Sequence, residues 1–266
     1  MSSLPEEIRD HYESEQDEDQ RLRRGLGRLE RARVQEIVRR HLTWGPQRVL
    51  DVGGATGIHA EWLLRDGHMV HLVDPIAAQV HRALARLGDA GGRFSAEVGD
   101  ARSLPVPDAS VDVVLLFGPL YHLLDRNDRV QAWREAARVL VPGGVVLGMA
   151  ISRFASLFDG LTHGMLFDPE FREVVVADLA TGRHHHPRRH PGWFTTAYFP
   201  RPDELVAEAE ASGLRVESVL AVEGLAYYLQ QVADRWEDEG DRQVLLDAAR
   251  ATESEPSLLG LGPHLI

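Results

Sequence analysis

Three carboxylates, one imidazole and a glycine-rich turn are the groups in this chain best placed to do chemistry. Asp51 lies inside the short apolar run Val49-Leu50-Asp51-Val52, and Gly53, Gly54 and Gly57 follow at once. Asp74 closes a second run, Met69-Val70-His71-Leu72-Val73, and Asp100 follows a third expected strand in Gly99-Asp100-Ala101. An ionised carboxylate only accepts hydrogen bonds, so at a strand end it suits a ligand that presents two hydroxyls. Glycines let the backbone take φ > 0 and let a ligand approach closely, and a helix starting beyond them offers backbone N–H groups. His122, beside Tyr121, stands just past a fourth run, Val111 to Phe117. An imidazole titrates near neutrality and can take a proton from a reacting group. Plainer readings stand beside these. Asp74 can cap a helix opening at Pro75, and His122 can be a packed ring that only holds shape.

The elements around these residues alternate strand and helix. Val49, Leu50 and Val52 read as a buried strand, and Ile58, Ala60, Trp62 and Leu63 begin a helical pattern that stops at Gly67. Further strands are expected at Met69 to Asp74, Arg93 to Val98 and Val111 to Phe117, the last apolar but for Asp112, as suits a central parallel strand. A fifth follows the turn Val141-Pro142-Gly143-Gly144. Strand, glycine turn and helix open a doubly wound α/β sheet whose ligand sits at the carboxyl end of the first strand. A helix through Val34, Ile37, Val38 and Leu42 is expected ahead of it, and residues up to about Asp19 read as a solvated acidic end.

The spacing separates two kinds of ligand. A dinucleotide turn needs G-x-G-x-x-G, and neither Gly53, Ala55, Ile58 nor Gly54, Thr56, His59 supplies it. What stands here is Asp51-x-Gly53-x-Ala55-x-Gly57, which resembles the first motif of the class I S-adenosylmethionine-dependent methyltransferases, with Ala55 at the middle glycine. Asp74 comes 23 residues after Asp51, near the interval expected for an acid that holds a ribose diol. Gly99-Asp100-Ala101, the Val111–Phe117 strand and Leu140-Val141-Pro142-Gly143-Gly144 follow in the order of that family, in particular its small-molecule, UbiE-like branch.

The resemblance implies a Rossmann-like, seven-stranded sheet with S-adenosylmethionine as cofactor. It places Asp51, Gly53, Ala55, Gly57, Asp74 and Pro75 around the cofactor. Asp100 is expected on the adenine amino group, with the Ala101 N–H facing the neighbouring ring nitrogen. Phe117, Gly118 and His122 line the place where donor and acceptor meet. In such enzymes a leading segment often folds over the cofactor, which makes Tyr12 and Arg21 candidates; a guanidinium can grip a carboxylate through two hydrogen bonds. Arg21 as an ordinary surface arginine is the alternative.

Residues 152–200 break the strand–helix rhythm. An insertion of this length on an α/β fold usually carries function, and its aromatics (Phe158, Trp193, Phe194 and Tyr198 among them) read as a lid over the acceptor. Tyr227 and Tyr228 are further acceptor candidates on a stripe from Leu225 to Trp236 whose default role is packing. Arg183-His184-His185-His186-Pro187-Arg188-Arg189-His190 reads as a structural or substrate loop, and no metal is expected. A helix over 202–212, a sixth strand in LRVESVLAVEG and the start of a last antiparallel strand at Leu265-Ile266 complete the chain. The expected division is a helical cap (1–45), a cofactor core (46–151), a lid (152–200) and the rest of the core (201–266).

The chain has 266 residues, 44% of them hydrophobic, with no cysteine and a formal charge of −12. Disulfides and thiol catalysis are excluded. Net acidity repels phosphate backbones, and no apolar run reaches spanning length. The expectation is therefore a cytoplasmic enzyme methylating O, N or C of a small molecule, in a setting that can include specialised metabolism. It has no nucleic-acid or membrane partner, and its oligomeric state is open between monomer and homodimer. An RNA or protein methyltransferase, a non-catalytic S-adenosylmethionine-binding module and a dinucleotide dehydrogenase are the rivals.

Overall fold

The apolar run after Gln47 folds as β1 (Arg48–Val52), the middle strand of a five-stranded parallel sheet. The computed structural model describes residues 5–14, 18–186, 190, 192–229 and 232–266. Beside β1 lie β2 (Met69–Asp74) and β4 (Val111–Leu116), with β3 (Phe94–Val98) and β5 (Leu140–Gly148) outside them, in the order β3-β2-β1-β4-β5. Val52 is in register with Val73 on one side and Leu116 on the other, so the three central strands end along one edge. The order reverses between β1 and β4, the point where such sheets bind ligands. Val113 to Leu116 are buried, which explains why that run carries no polar residue. Val111 pairs with Leu140 but Val113 with Val145, so the Val141–Gly144 turn is looped out at the start of β5.

The described residues form two compact units. The first holds residues 1–19, 37–149 and 208–215. It contains the sheet with α4 (Ile58–Arg65), α5 (Ala77–Leu87), α6 (Pro119–His122) and α7 (Arg126–Val139). It also contains α1 (Glu6–Ser14). The acidic start is therefore not simply a solvated end, because its few apolar side chains give a short helix something to bury: Ile8 is 1% exposed.

The second unit holds residues 20–36, 150–207 and 216–266. Two helices run across the boundary, α2 (Glu18–Arg23) and α3 (Gly27–His41). The region after β5 supplies β6 (Ala150–Ile151), α8 (Ala155–Thr162), α9 (Pro169–Thr181) and a hairpin of β7 (Arg183–His184) with β8 (Ala197–Tyr198). After α10 (Pro202–Ala211) come α11 (Val232–Arg235), α12 (Glu239–Thr252) and β9 (His264–Leu265).

Among the described residues the parallel sheet has five strands, and the expected sixth and seventh do not join it. Glu217 and Ser218 are exposed, so nothing drives pairing until burial begins at Leu220. Leu220 then exchanges hydrogen bonds with Ile266 at 2.7 and 2.9 Å, while β9 lies antiparallel to β6. The last strand sits between the fifth-strand extension and the sixth-strand segment, as expected, but over only a few rungs. The Leu225–Trp236 stripe is also not one helix. Gly224–Tyr228 is a 3-10 turn that leaves Leu225 and Leu229 exposed, whereas Val232 and Trp236 pack on Leu29 and Leu245.

Candidate active site

The glycine turn is built from both sides. The N–H of Gly53 donates to the Val73 carbonyl at 2.7 Å, joining the ends of β1 and β2. A Cβ on Gly53 would lie 2.6 Å from the Phe117 carbonyl and 2.7 Å from the Pro119 ring, so only glycine lets the chain leaving β4 cross this point. Ala55 takes the family's middle-glycine position with φ 47°. That left-handed conformation costs an L-residue about 1–2 kcal/mol, offset by its N–H donating to Asp74 Oδ2 at 3.0 Å, a bond to an ionisable acceptor. Asp51 supports the turn from behind: it is fully buried, and a Cβ on Gly54 would come within 2.6 Å of its Oδ2. Burial, then the nearby Asp74 charge, push the Asp51 carboxyl up to about 7.

In front of the turn, within the first unit, is a cavity of about 300 Å³. Gly53, Ala55, Asp74, Pro75, Asp100 and Ala101 line it, as do Tyr12, Gly118, Tyr121 and His122. Asp51, Gly57 and Phe117 shape this region without being among the lining residues. Asp74 accepts from Ala55 through one oxygen and from the Ile76 N–H through the other, at 2.8 Å. Those bonds use two of the roughly four acceptor positions a carboxylate has. Burial raises its pKa to about 6. The N-cap of α5 is Ile76, with no side-chain cap, so Asp74 closes the turn before the helix and keeps acceptor capacity toward the cavity.

Asp100 lines the same cavity and is engaged by its near neighbour Arg102. Arg102, two residues on, donates to it from its backbone N–H at 2.8 Å and from Nε and Nη2 at 2.9 and 2.5 Å. Arg102 also pairs with Asp128 at 2.8 Å, and both residues line the cavity. Burial alone would raise the Asp100 pKa, but Arg102's hydrogen bonds and charge outweigh it and hold the carboxyl low.

The opposite wall joins α1 to α6. The Tyr12 hydroxyl and His122 Nε2 are 2.8 Å apart, and Tyr121 stacks edge-on against His122 with ring centres 4.6 Å apart. Arg129 fixes the chain just beyond: Nη1 donates to the Leu123 and Leu124 carbonyls at 2.8 and 3.1 Å, while Nε and Nη2 grip Glu208. Ile8, Gln79 and Arg102 were not singled out from the sequence. Gln79 carried a usable signal, a polar residue on the same buried face of α5 as Val80 and Ala83.

Other sequence candidates belong to the second unit. Arg21 donates to both oxygens of Glu30, at 2.6 and 2.9 Å. Phe158 contacts Tyr228 with ring centres 5.7 Å apart, and Tyr228 contacts Tyr227. Burial raises the pKa of both tyrosines. Trp193 packs on Phe171 and His190, Phe194 on His184 and Phe199, and the Tyr198 hydroxyl donates to Glu204. Within the histidine-rich run, His184 binds Asp178 at 2.8 Å, His185 binds Thr196, and His186 binds the Phe194 carbonyl at 2.7 Å. Residues 187–189 of that run lie outside the described residues.

A family profile described as a methyltransferase domain matches residues 49–144. The 27-O-demethylrifamycin SV methyltransferase of Amycolatopsis mediterranei is 31% identical over 223 residues, 79% of this chain and 74% of that protein. The demethylmenaquinone methyltransferase of Deinococcus radiodurans is 30% identical over 194 residues, 70% of this chain and 75% of its own. A solved S-adenosylmethionine-dependent methyltransferase from Mesorhizobium loti superposes with a TM-score of 0.60 at 17% identity, covering 89% of this chain and 97% of that one. The chain belongs to the S-adenosylmethionine-dependent methyltransferases, with S-adenosylmethionine as cofactor. The cavity fits that cofactor on its own terms: an acid with acceptor capacity toward a diol, a glycine turn beside it and a largely apolar wall.

Proposed function

We propose that this chain methylates O, N or C of a small molecule held against the wall formed by Tyr12, Tyr121 and His122, in a reaction of specialised metabolism within the cytoplasm. The observation that carries the reading is the pairing, in one cavity, of Asp74 at the strand edge with the Tyr12–His122 contact across from it. The two relatives' names supply small molecules, 27-O-demethylrifamycin SV and demethylmenaquinone. A net charge of −12 disfavours a nucleic-acid substrate, and no described helix is long and apolar enough to cross a membrane.

S-adenosylmethionine supplies an electrophilic methyl group on a sulfonium. Asp74 would hold the ribose hydroxyls, with Gly53, Ala55 and Pro75 against the nucleoside and Asp100 and Ala101 at the adenine end. Asp51, Gly57 and Phe117 would hold the walls of that site in place. Alignment of this kind contributes roughly 7–11 kcal/mol to a two-substrate reaction. Exclusion of water favours a step in which charge disperses, and the aromatic residues of 152–200, with Tyr227 and Tyr228, would serve as lid and acceptor contacts. An acceptor that arrives protonated needs a base. The ring nitrogen bonded to Tyr12 makes the transfer a relay: Tyr12 Oη takes the acceptor's proton as its own passes to His122 Nε2.

A screen of small acceptors with methyl-labelled cofactor tests the reading. His122→Ala should lower kcat by about 10²–10⁴-fold with little change in cofactor affinity, and the acidic limb of the pH–rate profile should disappear. Active His122→Gln enzyme with that limb intact would reject the relay and leave alignment as the source of rate.

A further inference from the structure

The acceptor atoms along the cavity are unevenly used. Asp100 receives three N–H donors from Arg102, the Nε–H shared between its two oxygens, which occupies most of the roughly four positions a carboxylate offers. Asp74 receives two. Gln79, on α5, lines the same cavity at 3% exposure, and its Oε1 has no hydrogen-bond partner in the structure. A buried amide oxygen left without a donor is uncommon and calls for a cause.

The other end of that amide fixes its orientation. Nε2 donates at 2.8 Å to the carbonyl of Tyr12, in the last turn of α1. A carbonyl only accepts, so the NH₂ must face Tyr12 and Oε1 must turn away. One side chain therefore closes the end of α1 and, through its opposite atom, offers an unused acceptor in the cavity where Arg102 has taken the carboxylate expected to serve adenine.

We propose that Gln79 Oε1 accepts a hydrogen bond from the nucleoside of S-adenosylmethionine, from its adenine amine or a ribose hydroxyl, and that the same amide ties cofactor binding to the seating of α1. This rests on the cofactor occupying the cavity. An acceptor at Gln79 replaces what Asp100 has given to Arg102, while the bond from Nε2 keeps Tyr12 against His122 when the nucleoside is in place.

The test is calorimetric titration of the full chain with S-adenosylhomocysteine, S-inosylhomocysteine and 2′-deoxy-S-adenosylhomocysteine, alongside amide exchange of α1. Gln79→Met keeps length and removes both hydrogen bonds. It should weaken S-adenosylhomocysteine by about 3- to 10-fold, shrink the penalty for one of the two analogues and speed exchange in α1. Loss of the inosyl penalty assigns the amine, and loss of the deoxy penalty assigns the hydroxyl. Gln79→Glu keeps an acceptor toward the ligand but sets a carboxylate oxygen against the Tyr12 carbonyl. It should retain the analogue penalties and still release α1, which keeps the test decisive if the Met variant unfolds. Unchanged analogue penalties in folded Gln79→Met, whether or not α1 loosens, would overturn the assignment. Asp74→Ala separates this outcome from failure of the cofactor reading: were it to bind S-adenosylhomocysteine like the wild type, the nucleoside would not lie in this cavity at all.

Discussion

Two pairs of buried acids, one pair in each unit, are held in opposite ways, although the first unit also pairs the buried Glu208 with Arg129. In the second unit Glu30 and Glu223 are 3% and 0% exposed, and each has a cation. Arg21 occupies both oxygens of Glu30, and His264 Nδ1 lies 2.7 Å from Glu223 and 3.9 Å from Glu30. Burial alone would lower the His264 pKa, but the two carboxylates outweigh it and push it up to about 9. The three groups are of metal-ligand type and converge within 4.8 Å, yet the chain's own cations already balance their charge. In the first unit Asp51 and Asp74 are just as buried, Asp74 accepting from the Ala55 and Ile76 N–H groups, and their pKa values rise to about 7 and about 6. Buried acids neutralised from within serve the fold. An acid left with acceptor capacity facing a cavity costs stability and is suited to a ligand that brings its own donors.

The largest expected effect falls on the paired acids. Glu223→Ala leaves His264 without its nearest carboxylate, and breaking a buried pair from one side typically costs about 3–5 kcal/mol. Thermal unfolding should therefore show a large drop in midpoint. A small drop would mean that the second unit's charges are as dispensable as surface pairs, and the contrast between the units would dissolve.

The units should also differ in where pH acts. In the folded chain Asp51 keeps, between the ordinary 3.8 and about 7, a proton that an unfolded chain releases, and Asp74 does so between 3.8 and about 6, so their contribution to stability falls as pH rises across those intervals. His264, raised from 6.5 to about 9, contributes fully below 6.5, and that contribution is lost as pH rises to about 9. Both trends run downward with pH, in different windows. Unfolding midpoints from pH 4 to 9 should show Asp51→Asn flattening the lower window and His264→Gln the upper one. The reverse assignment would break the comparison.

The smallest effect belongs to the wall of the cavity. Tyr12→Phe removes one hydrogen bond to His122, at a net cost of about 0.5–1.5 kcal/mol, while the Tyr12 carbonyl and its bond from Gln79 remain. Amide exchange in α1 should quicken only slightly. A fully unprotected α1 would show that the hydroxyl, not the amide, seats the helix.

What could be read before the structure was mostly local. The spacing from Asp51 to Gly57, and the position of Asp74 after an apolar run, follow from how a strand ends in a turn. Gly53, Ala55 and Asp74 line one cavity, with Asp51 supporting the turn rather than lining it. The partners that set their chemistry were not legible because they lie far away in sequence or compete locally. Tyr12 and His122 are 110 residues apart. Arg102 sits only two residues from Asp100, yet nothing in Gly-Asp-Ala-Arg says that the guanidinium folds back on the acid. The sixth strand is missing from the parallel sheet because burial starts late, at Leu220, in a stretch whose alternation of apolar and polar residues looks strand-like from end to end.

The central claim is that the acceptor capacity of Asp74 is kept for the cofactor's ribose, and calorimetric titration of S-adenosylhomocysteine into the wild type and Asp74→Ala tests it most directly. Loss of a charge-assisted pair of hydrogen bonds predicts binding weaker by about 1.5–3 kcal/mol in a variant that stays folded. An unchanged dissociation constant in folded Asp74→Ala would contradict the account and reduce Asp74 to a residue that closes the turn before α5.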